Sequence, residues 1–592
     1  MVAVTCALTV LALMLAWSVW RTFRSRPSFI DHPVVFFLLV CGALLFLRMP
    51  QIKWNCELNP DESLMLAQGM RFLSHPVPWR DVDGTTAGPL DSMLLSVPMC
   101  FGAPATWQTA RLVLWVSSCL ALFLSYLTLR CFGTRAEAQF VLLPTVLFYA
   151  FSSVGDFVHY SSETLSVLLL SAGFYLLAKE WTGDKPAKVR LFLLGLAAGS
   201  IPFAKLQAAP LALFLVVIGL AQIAVCRRKA GRPWKIWWRE PLALCLGAAA
   251  VPSLLLGVVA AYGALGDCWI SYVLAAGNYM EEPPGARFHY LHTLFIRSTD
   301  ATPYFVGTIA ALVLLWWACA ANRARLPGRL FWPLIAILAD SVLTLACLVI
   351  PGKPFWHYLS LFVPPLALFC GLVFFVGKTK LNRQGKSHLE YSPTDCTEAA
   401  QEHTPPRTTW AFSLWLIMFS VFVAGIQFYR VPFYLRMTRY YSSGRTQKSL
   451  LAGYVSRVSQ PGDTLSVWGW MPACHVETGL SPATRYAIGH NLISPGPYQS
   501  HFRSRYLADL ERSRPVVFID AVARGAFLGP LGRAEKHESF PELARFINEN
   551  YTLWVDIQIA EGDSPVRVYL LKERLAKLSP SLAHPASPAR AQ

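Results

Sequence analysis

The stretch LALFLVVIGLAQIAVC, residues 211–226, carries no charged side chain, and FFLLVCGALLFL at residues 36–47 is equally apolar. Long apolar runs are typical of membrane-spanning helices, because only a helix satisfies all of its backbone hydrogen bonds within lipid. The whole chain of 592 residues is 54% hydrophobic and only 15% charged, which excludes an ordinary soluble protein. The sequence therefore predicts a polytopic α-helical membrane protein.

Similar apolar runs recur along the chain and predict about a dozen transmembrane helices. The expected spans are 2–20, 29–47, 109–129, 138–152, 162–178, 191–204, 209–226, 241–262, 303–321, 330–350, 357–376 and 410–429. The first segment has neither a basic n-region nor an A-x-A cleavage site, so it is predicted to be an anchor and not a cleaved signal peptide. We expect residues 1–28 to form this extra N-terminal anchor and residues 29–430 to form the membrane domain.

The composition changes after the last predicted span, and residues 431–575 are predicted to form a small α/β domain. Four segments resemble strands: TLSVWGW at 464–470, PVVFIDAV at 515–522, YTLWVDI at 551–557 and VRVYLLKE at 566–573. FPELARFINEN at 540–550 has apolar residues at helical spacing. The tail 576–592 is rich in Pro, Ala and Ser and is expected to be disordered, and the polar segment 378–408 is expected to be a flexible loop.

Basic residues fall in alternate loops, which explains the formal net charge of +17. The basic set comprises Arg21, Arg24, Arg26, Arg130, Arg135, Lys179, Lys185, Lys188, Arg190, the segment CRRKAGRPWKIWWRE, Arg323, Arg325, Arg329, Lys378, Lys380, Arg383 and Lys386. The positive-inside rule places these loops in the cytoplasm, so the intervening loops and everything after residue 430 are predicted to be periplasmic. The charge is then a topology signal in a bacterial inner-membrane protein and does not indicate nucleic-acid binding.

The remaining polar residues of interest fall on the predicted outer side, although none of them was used to set the orientation. The first outer loop, 48–108, contains Asp61 and Glu62. Three further outer segments contain Asp156, His159 and Glu163 in GDFVHYSSE, Lys205 in IPFAKLQAAP, and Lys353, His357 and Tyr358 in PGKPFWHY. Acids and cations from four loops are thus expected to meet at one membrane–water boundary.

This combination suits one chemistry. A carboxylate can remove a proton from an acceptor hydroxyl, and lysine or histidine can stabilise a phosphate that leaves with negative charge. A lipid-phosphate headgroup would lie at this depth, with its tail between the helices. The pattern predicts transfer of a sugar from a polyprenyl-phosphate-linked donor, with membrane lipids and a glycan, lipid or protein acceptor as partners.

Several segments also resemble a known family in their order along the chain. They are NPDES at 59–63 with PWRDVDGTTAGPLDSMLLSVP at 78–98, YSSETLSVLLLSAGFYLLAKEW at 160–181, FAKLQAAPLAL at 203–213, PGKPFWHYLSLFVPPLALFCGL at 351–372 and VWGWMPACHVETGLSPATRY at 467–486. On these segments the chain resembles the C-type superfamily of membrane glycosyltransferases, in particular the bacterial relatives of protein O-mannosyltransferase and lipid A aminoarabinose transferase. The resemblance covers most of residues 29–490, and the span 2–20 is additional to the usual core.

The resemblance implies roles for the outer-side residues. Asp61 would be the general base, and Glu62 would orient it or contact the acceptor. Glu163, together with Asp156, would bind the acceptor or the donor sugar. The donor phosphate would be held by Lys205, Lys353, His357 and Tyr358. Direct attack on the anomeric carbon of a hexosyl or pentosyl donor would invert its configuration. Because only some members of the superfamily use a divalent metal, a metal at the acidic pair stays open.

Two further residues on the predicted outer side, His159 and Arg287, are expected to contact substrate. Each candidate also has a structural interpretation. Acids such as Asp61 and Glu163 at helix starts often only cap the helix, and lysines such as Lys205 extend toward the interface without binding anything. Asp340, inside the apolar run LIAILADSVLTLAC, is costly in lipid and is expected to make a structural hydrogen bond.

Two other functions compete with an enzyme. A transporter or flippase for lipid-linked sugars should show midplane charges, interrupted helices and repeated halves. The polar residues of this chain, except Asp340, instead gather on one face, and no internal repeat is visible. A sensor whose outer domain binds envelope glycans would leave the acids of the first loop unexplained. The one-sided clustering therefore favours a glycosyltransferase.

Overall fold

The computed structural model describes residues 32–84, 87–183, 185–229, 238–279, 284–296, 328–353, 355–387, 434–441, 449–522, 536–558 and 565–578, with a few single residues between 302 and 313 and at 432. The predicted spans 2–20 and 410–429 lie outside the described residues, as do nearly all of 303–321, the anchor 1–28 and most of the tail 576–592.

The helices of the membrane part occupy most of the described chain up to residue 387. In chain order they are α1 (Pro33–Lys53), α2 (Pro60–Phe72), α3 (Pro89–Cys100), α4 (Trp107–Arg130), α5 (Arg135–Phe151), α6 (Gly155–Val158), α7 (Thr164–Thr182), α8 (Lys188–Ala204), α9 (Ala209–Lys229), α10 (Arg239–Ala261), α11 (Leu265–Cys268), α12 (Ala275–Tyr279), α13 (Pro284–Ile296), α14 (Gly328–Val349) and α15 (Val363–Ser387). A π-helix, Trp269–Leu274, joins α11 to α12, and 3₁₀ turns at Leu206–Ala208 and Trp356–Phe362 precede α9 and α15.

Six helices in the described residues are long and apolar enough to cross a membrane: Pro33–Lys53, Trp107–Arg130, Leu206–Arg228, Arg239–Ala261, Arg329–Val349 and Trp356–Val376. They confirm a helical membrane protein, but the described residues do not confirm a count near twelve. The helices α5, α7 and α8 coincide with the predicted spans 138–152, 162–178 and 191–204 without meeting that length and composition. The helix α15 runs into the predicted loop 378–408 as far as Ser387, through residues such as Lys and Gln that favour helix.

The membrane helices pack tightly where small residues meet. The helix α8 crosses α10 along glycines on both helices. A Cβ atom added to Gly199 would lie 2.1 Å from the backbone oxygen of Ala248, and one added to Gly247 would lie 2.0 Å from that of Phe192. These two helices therefore approach so closely that only glycine fits, as is common in membrane helix pairs.

The two ends of the helix bundle carry different kinds of residue, because helices joined by short loops run in alternating directions. The predicted basic loops join α4 to α5, α7 to α8 and α9 to α10, so they share one end of the bundle. At that end Arg190 pairs with Glu180 at 2.7 Å, and Arg227 pairs with Glu240. The start of α4, the end of α5, the start of α7 and the end of α8 lie at the opposite end, where the predicted acidic and cationic site residues are found.

The C-terminal α/β region, defined here as residues 449–578, contains one five-stranded sheet. Its strands are β1 (Thr464–Trp468), β2 (Ser481–Pro482), β3 (Val517–Asp520), β4 (Tyr551–Ile557) and β5 (Val566–Leu571), in the spatial order β2-β1-β3-β5-β4. The strand β1 is parallel to β2 and β3, and β5 is antiparallel to β3 and β4. The helices are α16 (Leu450–Val458), α17 (Ala473–Thr478), α18 (His490–Ile493), α19 (Gln499–Ser513), α20 (Pro541–Asn550) and α21 (Lys572–Leu575). The four predicted strands and the predicted helix 540–550 are confirmed.

The C-terminal α/β region packs directly onto the first loop of the membrane part. Ile488 and Ala487 form a small apolar cluster with Leu64 and Ala67 of α2. Arg71 of the same helix donates a hydrogen bond to the backbone oxygen of Pro482 at 2.6 Å. The helix α2 is therefore held between the bundle and the sheet, and a cavity remains beside its first turn.

Candidate active site

Asp61 lies in the first turn of α2, but Asn59 is the residue that caps this helix. The side chain of Asn59 accepts a hydrogen bond from the backbone nitrogen of Asp61 at 3.0 Å, and Pro60 occupies the first helical position. The Asp61 carboxylate is 29% exposed and lines the cavity. Asp61 is therefore not needed as a cap, and the helix N-terminus favours its negative charge.

Glu62 faces away from the cavity and is fully buried. Its two carboxylate oxygens accept hydrogen bonds from Arg111 of α4 at 3.0 and 2.7 Å, and the backbone nitrogen of Tyr160 adds a third at 3.2 Å. Arg111 also donates to the backbone oxygens of Gln51 and Cys56. Glu62 thus fixes the start of α2 against α4 and places the neighbouring Asp61, and it does not line the cavity.

His357 lies among three carboxylates at the start of the last described span. Its Nε2 atom is 3.6 Å from Oδ2 of Asp61 and 4.0 Å from Oε2 of Glu163, and its Nδ1 atom is 3.6 Å from Oδ2 of Asp156. Phe355 stacks on the imidazole, with ring centroids 5.5 Å apart. A protonated imidazole here would attract all three acids and would draw the Asp61 and Asp156 loops together.

Asp156 is held by backbone and side-chain donors as well as by His357. Its carboxylate accepts hydrogen bonds from Asn59 Nδ2 and from the backbone nitrogen of Trp356, both at 3.1 Å. Burial alone would raise the pKa of Asp156, but the nearby imidazole of His357, with smaller contributions from His159 and Asn59, outweighs it and holds that pKa well below its usual value. Asp156 therefore joins the α2 loop to the His357 segment as a permanent anion.

Lys205 supplies a fixed cation on the cavity wall. Its Nζ atom is 2.9 Å from Oε1 of Glu163 and 2.6 Å from Oγ of Ser162, and it lies 4.9 Å above the ring of Tyr358. The chain is extended at Lys205 because its backbone pairs with Ala87 of the first loop. Glu163 occupies the N-cap position of α7 but makes no capping hydrogen bond with its side chain. Its carboxylate pairs with Lys205 instead.

The close contact between the first loop and Lys205 depends on glycine. The backbone nitrogen of Gly88 donates to the oxygen of Ala204 at 2.8 Å. A Cβ atom on Gly88 would lie only 1.9 Å from the oxygen of Phe203, so no other residue fits without moving the loop. The position of Lys205 is therefore set by backbone pairing as well as by its ion pair.

These residues surround a cavity with about 1320 Å³ of space not filled by protein atoms, its open mouth included. Of the residues predicted from the sequence, the structure places five on its wall: Asp61, Lys205, Lys353, His357 and Tyr358. Four others are not lining residues: Glu62, His159 and Glu163, which are buried, and Asp156, which is 22% exposed. His159 is buried, with its ring 5.5 Å from that of His357. Arg287, on α13, is not part of the described lining.

Asp61 and Asp156 offer oxygens on either side of the His357 ring, so a divalent cation bound between them would have to displace the imidazole. Within the part of the chain that the structure describes, the compact cluster of possible metal ligands is Asp520, His537 and Glu538 in the C-terminal α/β region. There Arg567 already pairs with both carboxylates, at 3.2 and 2.5 Å.

Sequence reasoning missed several residues around the cavity. Asn59 could have been found from its Asn-Pro signature at a helix start, and Arg111 from its position in an apolar span, where a charged group requires a partner. Further missed lining residues come from the C-terminal α/β region: Trp470, Ile488, His490 and Asn491. No local pattern indicates that these residues face the membrane part.

No protein-family model matches the chain, and no curated protein matches its sequence. Among solved structures, the chain is similar to ArnT from Cupriavidus metallidurans bound to undecaprenyl phosphate, with a TM-score of 0.52 and 15% identity over 93% of this chain and 99% of that one. The apo state of ArnT gives a TM-score of 0.52 at 16% identity, with the same coverage of 93% and 99%.

The archaeal oligosaccharyltransferase AglB from Archaeoglobus fulgidus, in complex with an inhibitory peptide and a dolichol-phosphate, gives a TM-score of 0.44 at 12% identity over 91% of this chain and 74% of that one. The similarity to ArnT extends over almost the whole of both chains and shows a common fold. It confirms, for the fold, the resemblance to the C-type membrane glycosyltransferases.

Proposed function

We propose that the chain is an inverting glycosyltransferase that moves a hexosyl or pentosyl group from a polyprenyl-phosphate donor to an acceptor hydroxyl. The observation that carries this proposal is the joint presence of the Asp61 carboxylate and the Lys205 and Lys353 cations on the wall of one cavity. The fold supports it as well, because ArnT, which shares that fold, was solved with undecaprenyl phosphate bound.

The proposed reaction needs one base and one electrostatic clamp. Asp61 accepts the proton of the acceptor hydroxyl as the oxygen attacks the anomeric carbon of the donor. The bond between that carbon and the phosphate oxygen breaks, and the electron pair leaves with the polyprenyl phosphate. Lys205 and Lys353 neutralise the charge that develops on the phosphate. Because attack occurs opposite the leaving group, the configuration at the anomeric carbon inverts without a covalent enzyme intermediate.

The residues that do not line the cavity position those that do. Glu62 and Arg111 fix the turn that carries Asp61. Glu163 holds Lys205, and Asp156 holds His357, whose ring contacts Asp61. His357 lines the same cavity as Lys205 and Lys353 and shares in binding the donor phosphate, while the ring of Tyr358 lies against the ammonium group of Lys205. A divalent metal is not needed by any of these steps.

The basic end of the bundle supports the orientation of the site. The loops that join α4 to α5, α7 to α8 and α9 to α10, with the adjoining helix ends, carry part of the basic set, and such loops are retained in the cytoplasm. The cavity lies at the other end of the same helices. We therefore place the reaction, and the C-terminal α/β region, on the periplasmic face of a bacterial inner membrane.

The test is transfer by the full chain in lipid nanodiscs. Purified protein would be incubated with a panel of radiolabelled undecaprenyl-phosphate monosaccharides and with envelope extracts as the source of acceptors. We expect label to move from one of these donors to an acceptor with inverted anomeric configuration. Binding or flipping of the donors without transfer to any acceptor would contradict an enzyme and support a transporter.

The variant Lys353→Met tests the phosphate clamp, with Lys185→Met, an exposed lysine at the basic end, as the matched control. Hydrogen bonds to charged groups contribute about 1.5–3 kcal/mol, so we expect the KM for the donor to rise about 10- to 100-fold in Lys353→Met. The control should keep the KM of the unsubstituted protein. An unchanged KM in Lys353→Met would remove this lysine from the phosphate site.

A further inference from the structure

One wall of the cavity belongs to the C-terminal α/β region, through Trp470, Ile488, His490 and Asn491. Trp470 follows the carboxyl end of β1, and ligands commonly bind outside the carboxyl ends of parallel strands. Gly469 makes this placement possible, because its φ of 125° turns the chain in a way that other residues rarely adopt. The backbone nitrogen of Gly489 donates to the oxygen of Gly469 at 2.6 Å, so the two loops form one rigid surface.

This surface extends from the proposed base to the proposed phosphate clamp. At one end, Trp470 packs against the cluster of Ile488 and Leu64, and Leu64 lies one helical turn after Asp61. At the other end, His490 is close enough to Lys353 to be affected by its charge. Burial, with a smaller contribution from Lys353, lowers the pKa of His490 to about 4, so this imidazole is neutral at physiological pH. The rings of Trp470 and His490 meet edge to face, with centroids 5.6 Å apart.

Asn491 presents a polar group that the described residues do not satisfy. Its Nδ2 atom is buried and has no hydrogen-bond partner among them, although the side chain lines the cavity. Buried polar groups in native structures are nearly always paired, so an orphaned donor on a cavity wall points to a ligand that supplies the acceptor. A sugar hydroxyl is an acceptor of this kind.

We propose that Trp470, His490 and Asn491 bind the ring of the donor sugar and select a neutral sugar over a charged one. The proposal rests on the proposed function, because the transferred ring must then lie between the phosphate at Lys353 and the base Asp61, which is the interval that this wall spans. The aromatic face of Trp470 packs against the apolar C–H face of a sugar ring, while the amide of Asn491 and the neutral imidazole of His490 form hydrogen bonds with its hydroxyls.

The charge of the wall gives the substrate class. Among the described lining residues, the C-terminal α/β region contributes no acid, no lysine and no arginine. An amino sugar would leave its ammonium group without a carboxylate on this wall, and a uronic acid would leave its carboxylate without a cation. Burial of an unpaired charge is unfavourable, so this wall favours the ring of an uncharged hexose or pentose, while the charged side chains of Asp61, Lys205 and Lys353 lie on the rest of the lining, at the proposed base and phosphate site.

The test compares lipids with and without a sugar, so that the wall is separated from the phosphate clamp. The full chain in nanodiscs would be titrated with undecaprenyl phosphate, and with the same lipid carrying mannose, glucose, galactose, arabinose or aminoarabinose. The variants are Asn491→Ala and Trp470→Leu. Asn548→Ala, an exposed asparagine on α20, is the matched control.

We expect the unsubstituted chain to bind at least one neutral sugar lipid about tenfold more tightly than the bare lipid, and more tightly than the aminoarabinose lipid. Each variant should lose about tenfold in affinity for that sugar lipid while its affinity for undecaprenyl phosphate stays the same, and Asn548→Ala should change neither. Equal losses for both lipids, no loss for the sugar lipid, or strongest binding of aminoarabinose would each overturn the proposal. Because no acceptor is present, selective binding without any transfer in the separate assay would refute only the proposed function.

Discussion

The ion pair between Glu62 and Arg111 offers a sharp test of how the site is built. Both side chains are almost completely buried, at 0% exposure for Glu62 and 1% for Arg111. Arg111 also donates hydrogen bonds to the backbone oxygens of Gln51, in the last turn of α1, and Cys56, in the connection to α2. Replacing only one partner leaves the other charge buried without compensation, which costs about 3–5 kcal/mol. We therefore expect Arg111→Met to lower the stability of the protein severely, and Glu62→Met to do the same.

The double variant Glu62→Met/Arg111→Met separates positioning from chemistry. Replacing a whole buried pair by apolar residues of similar volume is often nearly neutral. The double variant should therefore regain the part of the stability that the unpaired charge costs either single variant, but not the part from the hydrogen bonds that Arg111 donates to the backbone oxygens of Gln51 and Cys56. If Glu62 only positions the Asp61 turn, the double variant should also transfer sugar within about tenfold of the unsubstituted rate, because no reacting atom has been removed.

Thermal unfolding in nanodiscs would measure the stabilities, and initial rates with the donor would measure transfer. Glu573→Met is the control, since its pair with Arg514 is exposed on both sides, 72% on the glutamate and 55% on the arginine, and should contribute about 1 kcal/mol or less. A double variant that is stably folded but has no measurable transfer would refute the positioning role and would place Glu62 in the reaction itself.

Two further predictions concern the membrane helices and the first loop. Gly199→Ala should destabilise the bundle by about 1–3 kcal/mol or more, because its Cβ would lie 2.1 Å from the backbone oxygen of Ala248. The control is Gly257→Ala, whose Cβ would have nothing within 4 Å and which should leave the unfolding temperature unchanged. Equal effects of the two substitutions would disprove the close crossing of α8 and α10. Burial, then the charges of Glu62, Glu477 and Asp61, raise the pKa of Glu57 to about 7 from 4.5, so the folded chain binds a proton there that the unfolded chain has released. The stability that proton binding at Glu57 contributes should be present below about pH 4.5 and lost by about pH 7. As the pH rises through this range, Glu57→Gln should therefore gain about 1–3 kcal/mol in free energy of unfolding relative to the unsubstituted chain. A difference in stability that stays constant with pH would contradict the raised pKa.

The sequence predicted the parts of the fold that depend on local patterns. Long apolar runs give membrane helices such as 211–226 in any context that contains lipid, and alternating β-branched and aromatic residues give strands such as Tyr551–Ile557. The basic loops indicated which helix ends lie together. That was enough to bring Asp61, Lys205 and His357, from three separate loops, to one end of the bundle, where the structure places all three on one cavity.

The sequence could not show which of the predicted site residues line the cavity and which lie behind the lining. Asp61 and Glu62 are adjacent, yet Asp61 lines the cavity while Glu62 is buried on another side of α2, where Arg111 of α4 binds it. The contribution of Trp470 and Asn491 depends on how the C-terminal α/β region packs onto α2, through contacts such as Arg71 with Pro482. Such long-range contacts have no periodicity in the sequence, so only the structure locates them.

The central claim is that Asp61 removes the acceptor proton within a cavity that also binds the donor phosphate. The most direct measurement is the turnover of Asp61→Asn with a saturating donor, beside Asp556→Asn, an exposed carboxylate on β4, as the control. We predict that Asp61→Asn loses about 10²- to 10⁴-fold in kcat while its unfolding temperature and its affinity for undecaprenyl phosphate stay the same, and that the control keeps full activity. Near-normal turnover of Asp61→Asn would contradict the claim.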